Sequence, residues 1–225
     1  MTKKETPGYK GCGMALRVLS RRAATKALSI AGMSAFGLSA ILTSPRALAQ
    51  NTSQSWDAPV KGDFVYGEDS AAVTVIEYAS LTCGACGGFH TQAFGQIKRE
   101  LIDTGKMRFI YRHYPLDGLA LRAAAAVSCL SPVVFSSMLH LLYTRQRYWV
   151  TADDPKETLI QLFGQAGINA DTFEACWHDE DRIQTIVDTR LDAERRFGIE
   201  ATPSFIIDGE VHRGGRPYSF FANLV

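Results

Sequence analysis

The feature that most constrains the fold is a strand-helix-strand pattern between residues 73 and 114. The run VTVIEYAS (73–80) is rich in β-branched and aromatic residues, which is typical of a buried strand. The segment FHTQAFGQIKRELIDTG (89–105) has apolar residues at helical spacing, and MRFIYRHY (107–114) is a second strand-like run that ends at Pro115. Two strands joined through a helix form a βαβ unit, so this chain is predicted to be an α/β protein.

The rest of the chain is predicted to be a helical block followed by a β-hairpin. Residues 116–197 contain helical segments that are separated by Ser-Pro, Asp-Pro and Gly signals. Two strand-like runs, SFIIDG (204–209) and EVHRGG (210–215), meet at an Asp-Gly turn, and a last helix is expected from Pro217.

The first 49 residues have the composition of an export signal. Basic residues precede the apolar run ALSIAGMSAFGLSAIL (27–42), and the motif ALA (47–49) stands before Gln50, where cleavage is expected. Export by the Sec route is predicted, with the twin-arginine route as an alternative because SRRAATK (20–26) contains paired arginines. An uncleaved membrane anchor is the other interpretation, although the apolar run is short and contains glycine.

Removal of this signal changes the charge of the protein. Eight of the 24 Lys and Arg residues and one of the 23 Asp and Glu residues lie in it, so 16 basic and 22 acidic residues remain, a formal charge of −6. A mildly acidic domain gives no electrostatic reason to expect binding to nucleic acid or anionic lipid. Four cysteines also remain, an even number that permits two disulfides in an oxidising compartment.

Cys83 and Cys86 lie where the first predicted strand leads into the helix. Free N–H groups at a helix N-terminus favour an anion, so the pKa of Cys83 is expected to fall below the free value of about 8.5. Cys86, one turn further on, would face inward and resolve mixed disulfides. The spacing alone fits a redox pair, a metal clamp or two packed thiols.

Two other residues favour the redox interpretation. Pro203 in GIEATPSFII comes just ahead of a strand, and a cis bond there would turn the backbone against the cysteine pair. Glu77 is an acid among apolar neighbours in the first strand. Burial of a carboxylate is unfavourable, so Glu77 is expected to be protonated at neutral pH or placed for proton transfer.

With these residues the chain resembles the DsbA-like thiol:disulfide oxidoreductases of the bacterial periplasm, over most of residues 66–220. The resemblance implies a thioredoxin-like fold with an inserted helical domain. It also implies roles for five residues: nucleophile (Cys83), resolving cysteine (Cys86), buried acid (Glu77), cis-proline (Pro203) and peptide-contacting residue before that proline (Thr202).

The resemblance further implies a function and partners. The protein would introduce disulfides into unfolded, reduced exported proteins in the periplasm, and a membrane partner of the DsbB type would reoxidise it. No cofactor is expected because the two sulfurs carry the electrons, and a monomer is expected. The domain plan is then an export signal (1–49), a flexible lead-in (50–66), a first thioredoxin-like part (67–115), a helical insertion (116–197) and a second thioredoxin-like part (198–225).

Cys129 and Cys176 lie in the helical insertion, 47 positions apart. Their helical settings favour a structural disulfide between two insertion helices, and similar proteins in one branch of the family carry such a bridge. The alternative is a pair of buried thiols, a common state of free cysteine.

The sequence departs from the family pattern between the two cysteines. Well-known members have a histidine there, whereas this chain has Gly84-Ala85, so Cys83 is expected to be less acidic and the protein a weaker oxidant. His90 could compensate, although a helix-borne histidine near a surface is more often solvated. Arg112 could pair with Glu77, but an exposed base at the end of a strand is the simpler expectation.

Other functions stay open at this point. A disulfide isomerase or reductase of the same fold would use the same residues. A zinc module would need four converging ligands, but only Cys83 and Cys86 are close in sequence. A binding or chaperone protein without redox turnover would not depend on Cys83 for activity.

Overall fold

A five-stranded mixed sheet organises residues 55–225, the part of the chain that the computed structural model describes. The strands are β1 (Phe64–Tyr66), β2 (Val73–Ala79), β3 (Met107–His113), β4 (Ser204–Ile207) and β5 (Glu210–Arg213). Their order in the sheet is β1-β3-β2-β4-β5, with β2 and β3 parallel and the other neighbours antiparallel. The expected export signal (1–49) lies outside the described residues.

Helices lie between β2 and β3, between β3 and β4, and after β5. They are α1 (Gly84–Phe89), α2 (Gly95–Ile97), α3 (Gly118–Ser128), α4 (Pro132–Thr144), α5 (Gln146–Val150), α6 (Pro155–Gln165), α7 (Ala170–Trp177), α8 (Glu180–Phe197) and α9 (Tyr218–Ala222). Two π-helical turns, His90–Phe94 and Lys98–Ile102, follow α1 and α2, so residues 84–102 run as one helical segment. Within residues 55–225, no helix combines the length and the apolar character that crossing a bilayer requires.

The strands bury side chains on both faces of the sheet. Because successive side chains of a strand point to opposite faces, neighbouring residues of β2 pack in different clusters. Val75 packs with the helical segment 84–102 and with Phe221 of α9, whereas Ile76 packs with Ala193 of α8. This arrangement holds the start of α1 at the carboxyl end of the parallel strands β2 and β3.

The helical insertion packs around fully buried residues such as Trp149, Phe163 and Phe173, in a cluster that also contains Cys86 and Tyr111. Several of its helices begin at an acid or amide that accepts a backbone N–H. Asp117 accepts from Ala120 at 2.7 Å and Asp154 accepts from the N–H of residue 157 at 3.0 Å. Such caps satisfy N–H groups that a helix leaves unpaired, which explains why the Asp-Pro signal marked a helix start.

The segment expected to be a flexible lead-in (50–66) ends in regular structure instead. Residues Phe64–Tyr66 form β1, which pairs with β3 along the edge of the sheet. Phe64 also stacks on Phe135 of α4. A strand of three residues is too short for its periodicity to be visible in a sequence, and its pairing partner lies more than 40 residues away.

Candidate active site

Cys83 and Cys86 occupy the first turn of α1, directly after β2. Cys83 is the N-cap residue of the helix, with extended backbone angles (φ −77°, ψ 117°), and its side chain is half-buried. Cys86 lies one turn later and is fully buried. Both cysteines are free thiols in this structure, so the structure represents the reduced state of the pair.

The loop before β4 meets Cys83 from the other side. The peptide bond between Thr202 and Pro203 is cis, and the Cys83 thiol donates a hydrogen bond to the Thr202 carbonyl oxygen at 3.2 Å. The hydroxyl of Thr202 is buried and makes no hydrogen bond among the described residues. Thr202 and Pro203, both singled out from the sequence, are therefore part of one site with the cysteine pair.

The surroundings of Cys83 favour its thiolate. A hydrogen bond from the Cys86 side chain is the largest cause that lowers the pKa of Cys83, to about 5. The Thr202 side chain and the backbone N–H groups of Ala85 and Cys86 act in the same direction, against partial burial. The hydroxyl of Thr202 makes no bond while Cys83 is protonated, so it is available to donate to the ionised sulfur.

The surroundings of Cys86 have the opposite effect. Burial raises the pKa of Cys86 far above its ordinary value, and the hydrogen bond to Cys83 and the charge of Glu77 raise it further. The pKa values of the two thiols thus shift in opposite directions. The thiol that donates the hydrogen bond stays protonated, whereas the thiol that accepts it ionises. Exposure and acidity both favour Cys83 over Cys86 as the nucleophile of the pair.

Glu77 lies beneath the pair on β2 and is fully buried. Its Oε2 lies 2.8 Å from Nε2 of His90, which is itself only 4 % exposed. The expectation that His90 is solvated is therefore wrong. The helix changes from α to π geometry at His90, and the ring stacks on Tyr143 of α4 inside the protein.

Arg112 does not pair with Glu77, and the expectation of an exposed base was also wrong. Its guanidinium is 4 % exposed and binds both carboxylate oxygens of Asp63, at 2.8 and 2.6 Å, and the hydroxyl of Tyr78 at 2.8 Å. The strand register explains this, because Arg112 lies opposite Tyr78 whereas Tyr111 lies opposite Glu77. Arg112 thus points to the other face of the sheet.

Gln146 is a residue of the site that the sequence did not reveal. Its Nε2 donates to the carbonyl oxygens of Leu81 and Cys83, both at 2.8 Å, and so ties α5 to the loop before the cysteine pair. Gly87 makes room for this side chain, because a Cβ at that position would lie 2.6 Å from Gln146 Oε1. More than 60 residues separate Gln146 from the loop, and no motif surrounds it.

Cys129 and Cys176 form a disulfide in this structure, with their Cα atoms 5.7 Å apart. The bond joins the end of α3 to α7 within the helical insertion. Since these two sulfurs bind each other, they are not available as ligands alongside Cys83 and Cys86. The arrangement argues against the four-cysteine zinc module.

A mixed sheet, a Cys-x-x-Cys helix start and a facing cis-proline define the class of thioredoxin-fold proteins, here with a helical insertion between β3 and β4. A family model described as Thioredoxin matches residues 60–225. This chain belongs to the thioredoxin family and, within it, to the DsbA-like proteins.

Individual relatives agree with this assignment. The crystal structure of alpha-DsbA1 from Wolbachia pipientis is similar with a TM-score of 0.68 and 31% identity, covering 74% of this chain and 90% of that one. Disulfide bond formation protein D of Bacillus subtilis is 26% identical over 180 residues, 75% of this chain and 78% of that protein. A candidate protein-disulfide oxidoreductase of Rickettsia bellii is 23% identical over 150 residues, 66% of this chain but 58% of that protein. The chain thus spans little more than half the length of its rickettsial relative.

Proposed function

We propose that this protein is a thiol:disulfide oxidoreductase that introduces disulfides into exported proteins by exchange at Cys83 and Cys86. The observation that carries the proposal is the position of Cys83 at the start of α1, where its sulfur lies 3.2 Å from the carbonyl oxygen before a cis proline while Cys86 is buried. These surroundings lower the pKa of Cys83 and raise that of Cys86. A stabilised Cys83 thiolate favours the reduced form of the pair, which makes the disulfide form an oxidant.

The proposed reaction begins with the oxidised Cys83–Cys86 pair and a reduced substrate polypeptide. A substrate thiolate attacks the sulfur of Cys83, the bond to Cys86 breaks, and a mixed disulfide forms. A second substrate thiolate then attacks the substrate sulfur of that mixed disulfide, forms the substrate disulfide and releases Cys83 as a thiolate. Two electrons pass from substrate to the pair, and the two sulfurs hold them without a cofactor.

The surface beside the pair offers space for an extended substrate. A groove of about 480 Å³ borders Ala85, Phe89, Gln92 and Tyr218 next to the cysteines. On this proposal the backbone of Thr202 aligns the substrate strand, since its carbonyl faces the Cys83 sulfur. The buried acid Glu77 exchanges a proton with Cys86 during the cycle.

We infer the setting of the reaction from the same class assignment. The mature protein begins at Gln50 after export to the periplasm, acts as a monomer on unfolded or reduced exported proteins, and is reoxidised by a membrane partner of the DsbB type. Neither nucleic acid nor a metal takes part.

The decisive experiment measures the reduction potential of residues 50–225 in glutathione buffers, together with oxidation of a reduced, unfolded protein. A Cys83 pKa of about 5 lies between the values of thioredoxin and DsbA, so the potential is expected between about −270 and −120 mV. A potential at the thioredoxin end of this range would indicate a reductase and contradict the proposed oxidase function. Cys83→Ser is expected to abolish oxidation, whereas Cys129→Ser/Cys176→Ser retains the active pair as a control. Undiminished activity of Cys83→Ser would instead indicate a binding or chaperone role.

A further inference from the structure

We propose that His90 connects Glu77 to solvent as a proton relay, by way of a cavity between the helical segment 84–102 and α4. The inference rests on the proposed function, because it concerns the proton that Cys86 takes up and releases during disulfide exchange. His90 acts through Glu77 and is a positioning residue that does not touch substrate.

The exchange step creates the need for such a path. When a substrate thiolate attacks Cys83, the Cys83–Cys86 bond breaks and Cys86 leaves as a thiolate in a fully buried position. Burial makes that thiolate strongly basic, so it must receive one proton, and the same proton must leave when Cys86 attacks a mixed disulfide in the reverse direction. Glu77 is coupled to Cys86 by charge but has no exposed surface of its own. A proton on Glu77 therefore has to reach water through another group.

His90 has the geometry for this transfer. Its Nε2 lies 2.8 Å from Glu77 Oε2, a hydrogen-bond distance within reach for proton transfer between nitrogen and oxygen. The second carboxylate oxygen, Oε1, is buried and makes no hydrogen bond within residues 55–225. Oε2 of Glu77 is thus bonded to His90, whereas Oε1 has no hydrogen-bond partner among these residues, and the proposal assigns to Oε1 the proton exchange with Cys86.

A cavity of about 270 Å³ reaches His90 from the outside. Lys98, Ser137, His140 and Gly95 also line it, and the last three of these residues are exposed, so the cavity opens to solvent. Its volume admits several water molecules beside hydroxyl and imidazole groups that can bind them. His90 is the residue that both lines this cavity and bonds to Glu77 among the described residues.

The packing around His90 holds the ring in this position. The ring stacks on Tyr143 with centroids 4.4 Å apart and meets Tyr111 edge-on at 5.6 Å. The two tyrosine hydroxyls bond each other at 2.9 Å, and burial raises the pKa of both far above the ordinary value, so they stay neutral and do not compete for the proton. The titratable or charged groups that face the pair or line the cavity are Cys86, Tyr66, Tyr111, Tyr143, Lys98 and His140.

The step balances in both directions. On substrate attack, one sulfur–sulfur bond forms at Cys83 and one breaks, and a proton passes from cavity water to His90, from His90 to Glu77 Oε2, and from Glu77 to the Cys86 sulfur. When Cys86 attacks a mixed disulfide on Cys83, the proton follows the reverse route and the partner leaves as a thiolate.

The test follows release of glutathione from protein that carries glutathione on Cys83, a step that requires Cys86 to lose its proton. His90→Gln keeps an N–H donor for Glu77 but cannot pass a proton on, and His90→Ala opens space for added imidazole. Both are expected to slow release by about tenfold or more and to alter its pH profile, and imidazole is expected to restore the rate of His90→Ala only. His178→Gln, at an exposed histidine that does not line this cavity, is the matched control and is expected to release glutathione at the wild-type rate.

Two further measurements separate the possible failures. The alkylation rate of Cys83 is expected to be unchanged in every His90 variant, since the relay serves Cys86. If the wild-type protein does not release glutathione, the proposed function itself is contradicted. Normal release by folded His90 variants, or no rescue by imidazole, would overturn the relay alone. Should the variants not fold, the wild-type rate in mixtures of light and heavy water decides, because a relay that moves several protons predicts a curved dependence on the deuterium fraction and a linear dependence contradicts it.

Discussion

The Cys83 sulfur lies 3.2 Å from the carbonyl oxygen of Thr202, although 119 residues separate the two along the chain. The sheet creates this contact. Antiparallel pairing of β2 with β4 sets Tyr78 opposite Ser204. The loop that leaves β2 and the loop that enters β4 therefore meet at the same end of the two strands. The reactive sulfur is thereby surrounded by groups from two distant segments.

The hydroxyl of Thr202 is expected to contribute to the acidity of Cys83. Thr202→Val should raise the pKa of Cys83 above about 5, because one donor to the thiolate is lost while the larger effect of Cys86 remains. The pH dependence of Cys83 alkylation measures this. Thr82→Val is the matched control, since Thr82 is the adjacent threonine but donates to Asp117 at 2.6 Å. An equal shift in both variants would contradict the assignment.

The reduction potential should depend on pH in a way that reports the state of Cys83. At a pH above the Cys83 pKa of about 5, reduction of the disulfide takes up one proton, at Cys86. At a pH below that pKa, reduction takes up two protons, one at each cysteine. For a two-electron couple each proton changes the potential by about 30 mV per pH unit, so the slope should double to about 59 mV below that pKa. Glutathione equilibria between acidic and neutral pH measure the slope. A constant slope across this range would show that Cys83 does not ionise there.

Gln146 and Gly87 should act together on the active-site loop. Gln146→Ala removes the donor to two backbone carbonyls and is expected to lower the free energy of unfolding by about 1–3 kcal/mol. Gly87→Ala should also destabilise, because its Cβ would lie 2.6 Å from Gln146 Oε1. The double variant should lose less free energy of unfolding than the two single variants lose together. Urea unfolding of the three variants measures this coupling. Gln161→Ala, at an exposed glutamine of α6, is the control, and strict additivity would contradict the contact.

The buried ion pair between Arg112 and Asp63 should matter more than any surface pair. Asp63→Ala leaves a buried guanidinium without its counter-charge, and a loss of about 3–5 kcal/mol in the free energy of unfolding is expected. Asp103→Ala breaks the Lys98–Asp103 pair, whose side chains are 39% and 48% exposed, and should change stability by less than about 1 kcal/mol. Urea unfolding compares the two variants. Similar losses would mean that the Arg112 pair is hydrated in solution.

His113 should make the protein sensitive to acid. Burial lowers the pKa of His113 from 6.5 to about 3. In the unfolded chain His113 therefore binds a proton below pH 6.5, whereas in the folded protein it binds that proton only below about pH 3. The contribution of His113 to stability is therefore complete above pH 6.5 and is lost as the pH falls toward 3, at about 1.4 kcal/mol per pH unit. His113→Leu removes this titration, and its unfolding free energy should fall less steeply over that window. Parallel pH profiles would show that His113 is protonated in the fold.

Local sequence determined the order of the main elements and the position of the reactive pair. The composition of residues 73–80 and the helical spacing of residues 89–105 depend on neighbours in the chain, as does the place of Cys83 and Cys86 at the junction between them. Glu77 was visible for the same reason, because a single acid within a run of strand-forming residues stands out.

Only the tertiary structure decided which groups meet Glu77 and the cysteine loop. Strand register sends Arg112 to the face opposite Glu77, and a π-helical turn brings His90 to it instead. Gln146 reaches the loop from a helix whose packing no local pattern encodes. A side chain's face and reach follow from how distant elements pair and pack, whereas periodicity reports only on residues that are adjacent along the chain.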